Sequence, residues 1–225
     1  MGNTTLPWGE RVKSCNVMLY GSQVYGTNVG NSDIDRLVIS NEKSGEVIHR
    51  DINTHNFQCI TLTEFQCRLE DHDPVVLEAY IRDNEYPINL GKLRTSFSKV
   101  SSNSWSKARK KITQGDFELG IKSAFHAIRL LDFGIQLALN SDIDNWSKYN
   151  YVLEDLRSYE EPTWDIVHSK YDTLYKELRG KFKKAAKIEN TERWQTKQKI
   201  RNLLIKYDCM NPNLVDSLVK IFDYE

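Results

Sequence analysis

The stretch that decides the fold is Val17-Met18-Leu19-Tyr20-Gly21-Ser22-Gln23-Val24-Tyr25-Gly26-Thr27, followed closely by Ser32-Asp33-Ile34-Asp35-Arg36-Leu37-Val38-Ile39. Val17 to Tyr20 is a short apolar run stopped by Gly-Ser, which predicts a buried strand ending in a tight turn. A loop rich in Gly and Asn follows, and Ser32 to Ile39 predicts a second strand. Strand side chains alternate between faces, so Asp33 and Asp35 are expected to project together, with Ile34 buried on the other side. Two carboxylates held that close repel each other, and a shared hard cation such as Mg²⁺ explains them best. Gly21, lacking a Cβ, lets the backbone approach a ligand. Ser22 offers a hydroxyl, and the N–H groups of the turn form an anion-binding concavity. The Asp pair alone would read as a solvated strand edge. The order strand, Gly-Ser turn, short loop, Asp-x-Asp strand favours a site that holds a metal-bound triphosphate. Ser22 as a covalent nucleophile is set aside, because no matching His or Asp motif accompanies it.

Outward from this block, Thr54 to Ile60 predicts a third strand. Thr61-Leu62-Thr63-Glu64 has the form of a helix capping box, and Asp73-Pro74 starts a further helix with Asp as N-cap and Pro in the first turn. The acidic cluster Glu70-Asp71-His72-Asp73 therefore reads as a helix corner rather than a metal site. After about residue 97 the pattern is helical. Ile121, Phe125, Ile128, Leu131 and Ile135 recur at steps of four, three, three and four, which is one side of an amphipathic helix. Basic helices are expected over roughly 168–188 and 192–206, and a short one from Asn213, with breaks at Pro162 and Pro212. The expected fold is α+β: a mixed sheet with flanking helices over residues 1–97, then a helical domain over 98–225.

Composition narrows the class. The chain has 225 residues, 40% hydrophobic and 28% charged, a balance that excludes a disordered chain. It contains no run of about eighteen apolar residues and no apolar signal core near the start, so no membrane partner is expected. Cys15, Cys59, Cys67 and Cys209 have no zinc-ligand spacing and read as free thiols, which suits a reducing, cytoplasmic setting. Lys+Arg and Asp+Glu are both 31, yet residues 168–206 hold twelve bases against four acids. That stretch reads first as a solvated helix face and second as a polyanion surface. Trp164, Tyr171, Tyr175 and Trp194, within or beside it, read as packing anchors or as stacking platforms for single-stranded RNA.

The pattern GS-x3-GT followed by SDID resembles the nucleotidyltransferase superfamily, whose fold is similar to the catalytic part of DNA polymerase β. It is closer still to a branch from bacteria and their phages that reads GSrxYGt, then SDxDxxGV, then NPxxLExL. Gly21-Ser22, Tyr25-Gly26-Thr27, Ser32-Asp33 and Asp35 match the first blocks, and Asp73-Pro74 with Leu77-Glu78 resembles the last. Lys122-Ser123-Ala124-Phe125-His126-Ala127-Ile128-Arg129-Leu130-Leu131 is similar to the family's KaYHalRLL helix, so the resemblance runs from about residue 17 to 140. It implies a two-metal nucleotidyl transfer. Asp33 and Asp35 would be the catalytic pair and the metal ligands, holding Mg²⁺ (or Mn²⁺) against an NTP substrate, and Gly21 and Ser22 would contact its phosphates. Lys122, His126 and Arg129, at i, i+4 and i+7 on one helical side, would also bind the nucleotide; taken alone, His126 would read as a partly buried structural histidine. Two departures stand out. The family's third carboxylate, aligned on Leu62 and Phe65, falls at Asn56 and Gln58, both amides, with Asp51 or His55 as substitutes under another strand register. Arg36 replaces the usual apolar residue after the second Asp.

Three functions follow from this reading. The first is a Mg²⁺-dependent transferase moving a nucleoside monophosphate from an NTP to an acceptor hydroxyl on a protein, an RNA or a small molecule. The second is a degenerate relative that binds nucleotide or a partner protein without turnover. The third is an RNA-binding adaptor using the basic helices.

Overall fold

The computed structural model describes residues 4–5, 11–12, 14–30, 32–40, 48–52 and 55–187. In chain order the elements are β1 (Thr4–Thr5), β2 (Arg11–Val12), β3 (Ser14–Tyr20), α1 (Ser22–Tyr25), β4 (Ile34–Ser40), β5 (Ile48–Ile52), β6 (His55–Thr61), α2 (Leu62–Glu70), α3 (Pro74–Ile81), α4 (Leu90–Thr113), α5 (Phe117–Asn140), α6 (Asn150–Arg157) and α7 (Trp164–Ala185). β1 and β2 make a small ribbon of their own, and the main sheet has the order β3-β4-β6-β5. β3 runs antiparallel to β4, β4 parallel to β6, and β6 antiparallel to β5. The fold class is α+β, with a small mixed sheet and, among the described residues, seven helices that make up most of the structure.

The expected strands are present, with two changes at the decisive block. Gly21-Ser22 is not a simple turn: Gly21 leads into the single helical turn α1, and Gly26 closes it in the left-handed conformation. Asp33 lies just ahead of β4, which starts at Ile34, and Ile34 is half-buried rather than buried. β5 escaped the pattern reading because Ile48-His49-Arg50-Asp51-Ile52 is a polar edge strand with no apolar run.

Helix starts follow local chemistry. Thr61 Oγ1 accepts from the Glu64 N–H (3.1 Å), and Asp73 Oδ1 accepts from the N–H groups of Val75 and Val76 (3.1 and 3.2 Å), so both expected caps are formed. α4 begins earlier than expected, because Asn89 Oδ1 accepts from the Lys92 N–H (3.0 Å) and starts the helix one turn before its apolar stripe is established. Thr163 does the same for α7, so the basic helix begins at Trp164. The further helices expected over 192–206 and from Asn213 lie outside the described residues.

α5 is the hub. Its buried residues fall on every side (Ile121, Ala124, Ile128, Leu130, Leu131, Phe133, Leu137), as expected for a helix walled in by neighbours rather than lying on a surface. Each of its fully buried aliphatic side chains contributes about 1.5–3 kcal/mol. One apolar core runs from Met18, Leu37 and Ile39 on the sheet through Leu93 and Phe97 of α4 to Leu178 and Phe182 of α7, and residues 1–186 form one compact unit. Cys67 is a free thiol. No helix among the described residues is long and apolar enough to cross a membrane.

His72 pins the corner between α2 and α3. It is 2% exposed and sits at φ 56°. Its Nδ1 donates to the Glu70 carbonyl (3.0 Å), and its Nε2 accepts from the Asn89 N–H (2.9 Å) at the start of α4. Burial pushes its pKa below the ordinary 6.5. As pH falls through 6.5 the unfolded chain takes up a proton that folded His72 refuses, so this contribution is complete above that pH and lost below it. Urea denaturation at pH 7 and pH 5 is expected to show lower stability at pH 5, and His72→Asn, which tolerates the left-handed backbone, is expected to lose less between the two.

Candidate functional site

The parallel register of β4 and β6 sets one row of paired residues at the end of the sheet. Tyr20 pairs with Asp35, Asp35 with Asn56, and Asn56 with Asp51. Asp35 shares its face with Leu37 and Ile39, the face packed by helices, and Asn56 shares that face with Gln58 and Ile60. In this register Asn56 and Gln58, the two amides that align with the family's acidic positions, stand on the Asp35 face. His55 lies on the other face, stacked on Phe57 at 5.8 Å, and does not stand in for the amides.

Asp35 is fixed from two sides. Asn56 Nδ2 donates to its Oδ1 (3.1 Å). Its carboxylate also lies directly against the Gly21 Cα: a Cβ there would overlap Asp35 Oδ2. Gly21 has φ 79° and ψ −157°, a conformation open essentially to glycine alone. The glycine is thus required twice, by its backbone angles and by the carboxylate against it. Tyr20, beside Asp35, is pushed up to about 12, mainly by burial and also by the Asp35 charge, so its hydroxyl stays protonated; it donates weakly to Gln58 Oε1 (3.5 Å). Asp33 is exposed and is placed by the loop before it, where Ser32 Oγ accepts from the Val29 N–H (2.7 Å) and the Ser32 N–H returns to the Val29 carbonyl (2.7 Å).

Asp33 and Asp35 open into a cleft of about 570 Å³. Ser22, Thr27 and Ser32 line it from the Gly-Ser and Asp-x-Asp loops, and Lys107 of α4, Lys122, His126 and Arg129 of α5, and Arg157 of α6 line it from the helices. The helical wall is tied to the loop by Asn150 at the start of α6, whose Nδ2 donates to the Tyr25 carbonyl (2.7 Å). The sequence-derived residues Ser22, Asp33, Asp35, Lys122, His126 and Arg129 thus meet in one cavity, and Gly21 lies beneath it against Asp35.

Their environments differ. Lys122 is exposed and shares Glu118 Oε1 with Arg157 (3.0 and 2.8 Å) at the rim. Arg129 is 4% exposed and sits in the floor. Its guanidinium lies 3.3 Å from the centre of the Tyr25 ring and 3.7 Å from Glu78 Oε2, to which Tyr25 also donates its hydroxyl proton (2.6 Å). Burial raises the Glu78 pKa, opposed by the Arg129 charge. Arg129 Nη2 lies 2.8 Å from His126 Nδ1. A guanidinium has only donors, so Nδ1 accepts and the ring proton sits on Nε2. Burial, with the Arg129 and Lys107 charges, pushes His126 down to about 3. His126 is a neutral donor to this cleft at physiological pH, not a cation.

The donor chemistry bears on a metal. Among the described residues no group of three or more His, Cys, Asp or Glu side chains converges. Two carboxylates suit a Mg²⁺ that arrives on phosphate oxygens, since that ion commonly takes one or two carboxylates and completes its shell with water and phosphate. Asn56 presents its NH₂ to Asp35, so the neighbouring position carries a hydrogen bond where a carboxylate would carry charge. Tyr25, Glu78, Lys107 and Arg157 were not singled out as site residues from sequence. Glu78 was visible only as part of the Leu77-Glu78 match, and a buried charge within an apolar helix was the signal that could have found it.

No protein-family model matches the chain, and no curated protein matches it.

The floor yields a stability prediction. Glu78→Ala leaves the Arg129 charge buried without its carboxylate, which costs about 3–5 kcal/mol. Glu78→Gln keeps an acceptor for Tyr25 and is expected to cost less; urea denaturation of both variants checks the order.

Proposed function

We propose that the cleft binds a metal-bound nucleoside triphosphate and that the chain is a Mg²⁺-dependent nucleotidyltransferase. The observation that supports this reading is the gathering of Asp33 and Asp35 with Lys107, Lys122, Arg157 and the floor charge of Arg129 around one cavity. Acids alone would suit a cation and bases alone an anion; both together suit an anion that carries a cation. The resemblance of the Gly-Ser and Asp-x-Asp blocks to nucleotidyltransferases names the reaction.

In this reading Asp33 and Asp35 would hold Mg²⁺, which would supply positive charge beside the leaving pyrophosphate. Ser22 and Thr27 offer hydroxyls to phosphate oxygens. Lys107 and Lys122, both exposed, reach the polyphosphate as mobile point charges. His126 donates through Nε2–H, and Arg129 adds fixed positive potential from below. The acceptor hydroxyl oxygen bonds to the α-phosphorus, and the bond from that phosphorus to the β-phosphate oxygen breaks, releasing pyrophosphate. Positioning and electrostatics carry the transfer.

Asn56 favours a second reading, a nucleotide binder without turnover. An amide takes no proton from an acceptor hydroxyl and brings no charge for a second ion. The two readings separate on incubation with labelled NTP and Mg²⁺ or Mn²⁺. The transferase releases pyrophosphate and labels an acceptor. The binder shows only a rise in melting temperature, corresponding to about 2.7 kcal/mol at a hundredfold excess over Kd. In both, Asp33→Ala and Asp35→Ala are expected to abolish the metal-dependent shift, and unchanged binding in both variants would refute the site.

Asn56→Asp is a sharper probe. It sets a carboxylate in place of the 3.1 Å hydrogen bond to Asp35. Without divalent metal the variant is expected to lose about 1–3 kcal/mol of stability, and millimolar Mg²⁺ is expected to restore most of it. Thermal melts with EDTA and with Mg²⁺ check this directly.

A further inference from the structure

A second cavity, of about 560 Å³, lies between α4 and α7. Arg94, Thr95 and Ser98 line it from α4, Lys176, Arg179, Gly180 and Lys183 line it from α7, and Leu131 of α5 forms its floor. Four of these eight residues are cations and none is an acid. Lys176 is paired with Asp172 (2.6 Å), whereas among the described residues no carboxylate pairs with Arg94, Arg179 or Lys183. Three cations gathered on two packed helices without a paired carboxylate raise the potential of the groove and disfavour the empty state.

The groove is separate from the cleft. Leu131 follows Arg129 by two residues, about 200° around α5, so the two cavities open on different sides of that helix. The chemistry differs as well. The cleft has carboxylates to hold a metal, and this groove has none. Lys176, Arg179 and Lys183 follow one face of α7 over about 10 Å, with Arg94 and two hydroxyls from α4 alongside. A row of that length suits successive phosphates of a strand better than one compact group. The aromatic side chains nearby are occupied with each other, Trp105 stacking on Tyr175 at 4.4 Å and meeting Trp164 edge-on. No aromatic residue lines the groove, so it offers bases nothing to stack on.

We propose that the groove between α4 and α7 is a second, independent anion site that takes the phosphodiester backbone of a single-stranded nucleic acid without reading its bases. Neutralising three or four phosphates gives a log affinity that falls with log salt with a slope of about −2 to −3.

Gly180 supplies the test. A Cβ there meets nothing within 4 Å, and the residue is exposed on a helix. Glu or Gln at this position is a better helix former than glycine and meets no clash, so neither variant is at risk of failing to fold. Fluorescence anisotropy with labelled 12-nucleotide strands of two unrelated sequences is the readout, on the full chain over a salt series. Wild type and Gly180→Gln are expected to bind both strands alike. Gly180→Glu, which brings a carboxylate into the groove, is expected to bind about tenfold more weakly, and Asp33→Ala is expected to bind as wild type does. Equal binding by Gly180→Glu and Gly180→Gln overturns the proposal. A change of strand affinity in Asp33→Ala, in either direction, overturns the independence of the site. Displacement of the strand by tripolyphosphate at equal phosphate concentration assigns a short polyphosphate and overturns the strand as ligand.

Discussion

The carboxylate of Asp35 resting against the backbone of Gly21 is the contact on which the site depends. It joins the end of β3 to the start of β4 at the point where the chain enters α1. No side chain other than hydrogen fits between them, and no other residue adopts the Gly21 backbone without strain. The contact fixes where the acid stands relative to Ser22 and the loop that carries Asp33. Asn56 then sets the orientation of that acid with one hydrogen bond across the parallel pair β4 and β6. The sheet positions the Asp35 charge at the end of its interior strand β4, and the helices bring the opposite charge to meet it.

The helical side is built on a different principle. Arg129 is held in an almost closed floor by the Tyr25 ring, Glu78 and His126. Burial of such a pair is costly and weak evidence for stability in itself. Its effect here is electrostatic: a fixed cation under the cavity and a neutral imidazole above it. Lys107 adds an exposed cation, and Lys122 and Arg157, both paired with Glu118, add two more at the rim. The cleft therefore combines rigid and adjustable charge, an arrangement suited to a highly charged ligand that must also leave.

Much of this was legible in the sequence, because the informative features were local. Asp33 and Asp35 line one cleft, although Asp33 stands in the loop ahead of β4 rather than on the alternating strand, and Thr61 and Asp73 announced their helices through capping chemistry. The spacing of Lys122, His126 and Arg129 put them on one helical side, and all three line the cleft. What the sequence hid was set by tertiary packing. β5 has no apolar run and exists as an edge strand because β6 pairs with it. Glu78 sits in an apolar helix, and only the fold shows that Tyr25 and Arg129 surround it. The neutral state of His126 follows first from burial, which no local pattern encodes, and then from the neighbouring Arg129, three residues on. The groove between α4 and α7 joins residues more than eighty positions apart, whereas the sequence showed only a basic stretch.

We propose that one cavity holds a triphosphate through a cation shared by two aspartates. A crystal structure of the chain soaked with a non-hydrolysable NTP analogue and Mn²⁺ tests it most directly, because the anomalous signal of the ion locates it independently of the nucleotide. A peak beside both Asp33 and Asp35 is expected, with the polyphosphate running toward Lys122 and His126. A nucleotide bound elsewhere, or an ion that touches neither aspartate, would contradict it.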